Sequence, residues 1–269
     1  MNYRRIWTVS RKDIGEIMVN TAVFLPMIMV PLILCVILPI VLTILALTLD
    51  VNMIQGAELI EQILPFYEIP EVLEDTNSRI LYVFLNYTFI PLFMVVPLMV
   101  SSIIAANSFV GEKERKTLET LLYTPITNRE LMVGKLGAAF IPAVGISIVA
   151  FLLFVAAANI TSILIMDFAI LRSPLWIAAI LLLSPSVSLL GLVVTLIVSV
   201  KAKSFMAAQQ LSGALVLPFI ILVIVQMTGL IAFNALVVIL AALLVLAVAL
   251  LLLLRVAPRF TRERIISTL

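Results

Sequence analysis

Apolar residues fill six long runs of this chain, 21–49, 80–106, 136–159, 174–200, 207–228 and 231–254, and charged residues collect in the gaps between them. A helix needs roughly 20 apolar residues to cross the hydrocarbon core of a bilayer, and each run is long enough. Only Gly229 and Leu230 separate the last two runs. Together they are too long for one crossing, so they read as two helices joined by a tight turn. The first run is too long for a signal-peptide core and no small-residue cleavage site follows it, so it is expected to be retained as a span. The pattern predicts an all-α membrane protein with six transmembrane helices.

Composition agrees. Hydrophobic residues make up 64% of the 269 residues and charged residues 12%. Soluble domains carry about 25% charged residues, so lipid must serve as solvent here. Of the 17 Lys and Arg, a six-span layout leaves Arg79 and Arg172 alone on one side. The positive-inside rule then places both termini in the cytoplasm. The long external segment, 50–79, carries Asp50, Glu58, Glu61, Glu68, Glu71, Glu74 and Asp75 against Arg79. It reads either as an acidic vestibule that gathers cations or as a loop simply kept free of positive charge. Residues 51–64 are expected to form an amphipathic helix on the membrane surface, with Ile54, Ala57, Ile60, Ile63 and Leu64 toward lipid.

The spans exclude several kinds of chemistry. No Asp, Glu, Lys or Arg lies in the middle of a run, whereas ion-coupled carriers and proton pumps need ionisable groups there. Histidine is absent and Cys35 is the one cysteine. That removes His-based acid–base catalysis, Cys-His nucleophiles and a disulfide framework. There is no phosphate-binding Gly-x-x-x-x-Gly-Lys-Ser/Thr loop, and a net charge of +2 gives no nucleic-acid signal. No catalytic residue, metal site or bound cofactor is expected in this chain. The neutral polar residues, among them Ser101, Ser102, Ser184, Ser186, Ser188, Thr195, Ser212 and Gln226, are expected mostly to hydrogen-bond between helices. Asn86, Gln209 and Gln210 are candidates to line a pathway. Prolines 26, 31, 39, 91, 97, 142, 185 and 218 fall inside the runs, where they either shape curved helices or act as hinges.

The densest charge is in Glu112-Lys113-Glu114-Arg115-Lys116-Thr117-Leu118-Glu119-Thr120-Leu121-Leu122. Residues 112–123 are predicted to form a short cytoplasmic helix with Thr117, Leu118, Leu121 and Leu122 on one apolar face. Glu112, Glu114, Arg115, Lys116 and Glu119 cover the rest, with Glu112–Lys116 and Arg115–Glu119 as i,i+4 pairs. Pro125 ends the element. Thr127 and Glu130 then form a capping box, flanked by Ile126 and Leu131 as a hydrophobic staple, so a second helix starts there and runs into the third span. A capped break with a leucine face suits docking better than a solvated tether does.

These residues resemble the integral-membrane permease subunits of type-2 (export-type) ABC transporters. The resemblance rests on 112–125, on Glu130-Leu131-Met132-Val133-Gly134-Lys135, on 199–210 with Pro218 downstream, and on the six-span layout. It implies one transmembrane permease domain over 1–269, with an interfacial helix at 1–20, the acidic external segment at 50–79 and a coupling hairpin at 107–135. The 112–122 helix would be the coupling helix, so Glu112, Glu114, Arg115, Thr117, Leu118, Glu119, Leu121, Leu122 and Pro125 would contact a soluble ATPase. ATP would be bound by that separate subunit, and a second copy of the chain is implied. Residues Ile6, Trp7, Val9, Ile14, Ile17 and Met18 would give the interfacial helix its apolar side, and Arg4, Arg5, Arg11 and Lys12 would meet lipid phosphates. The function implied is ATP-driven export across a prokaryotic cytoplasmic membrane. The competing reading is a membrane anchor or sensor that docks a soluble partner and moves nothing.

Overall fold

Hydrocarbon offers no partner to a peptide group, so a segment that crosses it must satisfy its backbone internally. In the computed structural model, which describes residues 2–48, 63–114, 126–202, 204–229 and 234–257, each of the six apolar runs is helical over most of its described residues. Helix α1 is Tyr3–Val19. The six helices long and apolar enough to cross a membrane are α2 Thr21–Ala46, α3 Thr76–Glu114, α4 Asn128–Met166, α5 Leu175–Ser199, α6 Phe205–Met227 and α7 Ala235–Val256. No strand occurs among the described residues. Gly229, in the left-handed region at φ 73°, closes α6 and separates it from α7, as a glycine just past a helix end commonly does.

Two helices are much longer than their apolar runs. Helices α3 and α4 have 39 residues each, so at 1.5 Å per residue each is about 58 Å long, nearly twice the hydrocarbon thickness. The extra length of α3 shows where the charge-dense stretch begins. The chain does not break after the second span but continues through Asn107–Gly111 into Glu112–Glu114 as one helix. The predicted helix over 112–123 therefore begins as the tail of α3, and 115–125 lie outside the described residues.

Helix α3 is the pillar of the bundle. It packs against α2, α4, α5 and α6, and 89% of its most apolar window is buried, against 17% for α6 and for α7. Helix α5 approaches it closely at Gly191, where a Cβ would sit 2.6 Å from Ser101 Oγ and 2.9 Å from the Leu98 carbonyl. Phe89 and Phe93 of α3, Phe151 and Phe154 of α4 and Trp176 of α5 form an aromatic cluster, with Phe89 stacked on Phe154 at 4.7 Å. Thr195 Oγ1 donates to Ser212 Oγ at 2.9 Å and ties α5 to α6. Ser101 and Ser186 instead bond back to carbonyls of their own helices.

Four π-helical turns interrupt the described spans, at Ile33–Ile37, Phe84–Thr88, Asn107–Gly111 and Ala179–Leu183. Three have a shared cause. A proline ring crowds the carbonyl four residues earlier. For Pro39, Pro91 and Pro185 those residues are Cys35, Tyr87 and Leu181, each inside one of the wide turns.

The ends of the helices form two groups. Lys12, Lys113, Lys135 and Lys201 mark one, the basic end. At the opposite end Asn77 Nδ2 donates to the Ala46 carbonyl at 2.9 Å, joining α2 to α3. Ile63 and Leu64, expected to face lipid, are buried there; Ile63 packs beside Gly229, and Leu64 belongs to the main core with Tyr67.

Candidate functional site

The basic end is organised around α1. Val9, Ser10, Asp13 and Ile17 recur at helical spacing and are buried, so this face meets protein. It lies along α4, where Gly134 permits the approach: a Cβ there would come within 3.0 Å of Val9 Cβ. Ser10 Oγ donates to the Gly134 carbonyl at 2.7 Å. Tyr3, Trp7 and Met18 remain exposed on the other side. Val9 and Ile17, expected to face lipid, thus pack on the bundle.

Where α1, α3 and α4 meet, opposite charges are buried together. Lys135 Nζ donates to Glu112 Oε2 at 2.6 Å, to the Ser108 carbonyl at 2.6 Å and to Asp13 Oδ2 at 3.4 Å. The side chains of Lys135, Glu112 and Asp13 are only 2–3% exposed. Lys12, 38% exposed at the rim, reaches Glu112 Oε1 at 2.6 Å and Glu16 Oε1 at 3.1 Å. Burial of a charge is costly unless it is paired, and here each is. Burial pushes the Asp13 carboxyl above its ordinary range, with Lys135 opposing the rise and Glu112 adding to it. Burial alone would lower the Lys12 pKa, but the hydrogen bond and charge of Glu112, with Glu16 and Asp13, hold it above 10.5. Carboxylate oxygens of Asp13, Glu16 and Glu112 lie within 4.8 Å of one another, and the Lys12 and Lys135 amines occupy both oxygens of Glu112.

This placement corrects the reading of Glu112 as a solvent-facing group available to a partner. It faces α1 and α4. Lys12, assigned to lipid phosphates, is likewise engaged within the chain.

Two further carboxylates bind helix starts. Glu130 Oε2 accepts from the Thr127 amide at 3.1 Å while Thr127 Oγ1 accepts from the Glu130 amide at 3.3 Å, which is the capping box of α4. Its second oxygen, Oε1, accepts from the Asn2 amide at 2.7 Å, at the start of α1. Glu130 stands in the first turn of α4, before the apolar stretch that crosses the bilayer. The Asn2 and Thr127 amides hold its carboxyl down to about 2. Glu114 Oε2 accepts from the Phe205 amide at 2.9 Å, at the start of α6. Helix α2 joins the junction through its cap, Asn20, whose Nδ2 lies 3.4 Å from Asn107 Oδ1 of α3.

The other expected site residues separate into two sets. Arg115, Thr117, Leu118, Glu119, Leu121, Leu122 and Pro125 lie outside the described residues. Asn86 lies near the opposite end, buried, donating to the Tyr82 and Ile170 carbonyls and accepting from the Ser173 amide. Its amide pins the turn between α4 and α5. Gln209 and Gln210 lie near the start of α6 at the basic end, the first partly exposed and the second exposed. The three do not come together. Asp13, Lys12 and Lys135 were missed as a group. The legible signal was an acid, Asp13, on the same helical face as Val9 and Ile17.

Six apolar helices, one of them buried among four of the others, with a polar junction at one end, define a polytopic membrane protein. Over residues 7–254 the chain matches the family described as ABC-2 family transporter protein, and it belongs to that family. Comparison with curated proteins gives no match. The protein is accordingly a multi-pass membrane permease of the ABC-2 transporter class, a class that works with an ABC ATPase.

Proposed function

We propose that the chain is the permease subunit of an ATP-driven exporter in a prokaryotic cytoplasmic membrane, with two copies working with two ATPase subunits. The basic end faces the cytoplasm, in accord with its lysines and arginines. The ATPase docks on 112–122, with Leu118, Leu121 and Leu122 filling its groove and Arg115, Thr117, Glu119 and Pro125 completing the hairpin. ATP stays on the partner, and this chain carries no cofactor of its own.

One observation supports this reading above the others. Residues on both sides of 115–125 are fastened to different helices: Glu112 to α1 and α4, Glu114 to α6 and Glu130 to α1. Force applied to that segment would reach three helices through short, charged links. A tether needs none of them.

The test is the pair Leu118→Ala with Leu122→Ala. Fully burying one leucine is worth about 1.5–3 kcal/mol. Losing two weakens docking by roughly 3–5 kcal/mol, a few hundredfold or more in affinity. The double variant should insert normally and lose co-purifying ATPase. Wild-type assembly and turnover in that variant would refute the coupling role. An ATPase that docks and hydrolyses ATP without moving any solute in reconstituted vesicles would favour the anchor or sensor reading.

A further inference from the structure

We infer that Glu114 is a positioning residue that delivers displacement of the α3 tail to α6, which pivots about Ala214–Val216. The inference rests on the coupling role proposed for 112–122 and names the helix on which that coupling acts.

Three features of the basic end carry it. The first is the link itself. The amides of a helix's first turn have no partner inside the helix and carry partial positive charge. Ser204 Oγ takes the Ala207 amide at 3.2 Å, and Glu114 takes the Phe205 amide at 2.9 Å. A carboxylate on one helix thereby holds the first turn of another.

The second is a small apolar cluster separate from the main core. It consists of Ala106 and Val110 of α3, Ala202 of the loop and Ala208 of α6, with Val198 and Phe205 packed against it. The α3 tail and the head of α6 thus share both a charged contact and a local core, and they should move as one body.

The third is the packing of α6 beyond its head, where Leu215, Val216, Phe219 and Leu222 are only partly buried against the main core. Ala208 and Ser212 are buried near the start and Gln226 near the end, with no buried residue from 213 to 225. Gln226 Nε2 anchors the far end at the Tyr87 carbonyl, 3.4 Å away. Between the anchors the helix narrows to a 3₁₀ turn at Ala214–Val216, and Pro218 follows. Pro218 has no amide to offer the Ala214 carbonyl, and a mid-helix 3₁₀ stretch often marks a hinge. The links to α1 and α4 join buried opposite charges that are costly to separate, so α1, α4 and the α3 tail shift together. Helix α6 is therefore the compliant span on which the α3 tail can act.

The experiment uses the complex with its co-purifying ATPase in lipid nanodiscs, in a Cys35→Ser background. A reporter cysteine replaces Met206, which is 67% exposed on the head of α6. A second reporter replaces exposed Arg129 in the first turn of α4. Each is alkylated with a water-soluble maleimide, with and without ATP plus vanadate. With Glu114 intact, nucleotide should change the labelling rate at both positions. In Glu114→Ala the change at 206 should vanish while that at 129 persists. In Glu114→Gln, which keeps an acceptor oxygen, the change at 206 should be restored. Amide exchange at Phe205 should rise roughly three- to tenfold in Glu114→Ala, the worth of one partly exposed charge-assisted hydrogen bond.

A nucleotide response at 206 that survives Glu114→Ala, or unchanged exchange at Phe205, overturns the inference and leaves the coupling role standing. So does a parent in which 129 responds and 206 does not. Loss of the ATPase from Glu114→Ala would place this carboxylate on the partner and also overturn it. Silence at both positions in the parent would remove the coupling role and the inference together.

Discussion

Replacing Lys135 by Met removes the central cation of the junction while keeping a similar volume. Glu112 and Asp13, each 2% exposed, would remain buried with oxygens within 4.8 Å of each other. At an effective dielectric near 20, two like charges at that separation repel by about 3 kcal/mol. The Ser108 carbonyl, 2.6 Å from Lys135 Nζ, would lose its donor as well. Lys12 still faces Glu112 and offsets part of the charge. Breaking a buried ion pair by removing one partner typically costs about 3–5 kcal/mol, and that range is expected here. Cys35 provides the assay. It is the sole cysteine and is buried, so a thiol-reactive dye reports unfolding in detergent without added labels. For a chain of this size the loss corresponds to a fall in Tm of roughly 6–20 °C. Lys135→Met with Glu112→Gln relieves the stranded charge and should recover most of the fall. A single variant within about 3 °C of the parent, or a double variant no better than the single, would show that the junction does not hold α1, α3 and α4 together.

Other expectations are simpler to state. Gly134→Ala should overpack the contact with Val9 at a cost of about 1–3 kcal/mol and lower the thermal stability accordingly, whereas Gly145→Ala, with no heavy atom within 4 Å, should be neutral or better. Glu130 has a folded pKa held below its ordinary 4.5, at about 2, so its contribution is full above 4.5 and is lost as pH falls from there toward 2. Thermal stability across that window should slope in the parent and flatten in Glu130→Gln; equal slopes would show that the bonds to Asn2 and Thr127 contribute nothing. Cysteines at Glu68 and Arg129, each in a Cys35→Ser background, should label from opposite faces of the membrane, and labelling from the same face would contradict the six-span topology.

The spans were legible because lipid makes a simple demand: about 20 apolar residues and a closed backbone. The capping box at Thr127 and Glu130 was legible because its chemistry is local, three residues apart. Glu112 was misread for the opposite reason. Its partners are 23 and 100 residues away, and a charge-dense stretch looks solvated until α1 and α4 close over it. Ile63 and Leu64 failed similarly, since an amphipathic pattern shows that one side is apolar but not whether lipid or protein covers it. Asn86 was taken for a pathway residue because an amide at membrane depth is conspicuous; its carbonyl and amide partners at Ile170 and Ser173 lie in a turn 84 and 87 residues on.

The wide π turns bear on which lengths of this chain remain compatible with its packing. Removing one residue from a regular helix rotates everything beyond it by about 100°, which would turn a buried face of α3 toward lipid. A π turn already holds one residue more than an α turn needs, so a single deletion within Asn107–Gly111 would leave both flanks facing their present neighbours. The same deletion in Ile33–Ile37, Phe84–Thr88 or Ala179–Leu183 would preserve register but press the ring of Pro39, Pro91 or Pro185 onto a carbonyl that no longer has room. At those three places a shortened chain should be tolerated only together with replacement of its proline, so the loss of a residue and the loss of a ring become linked changes.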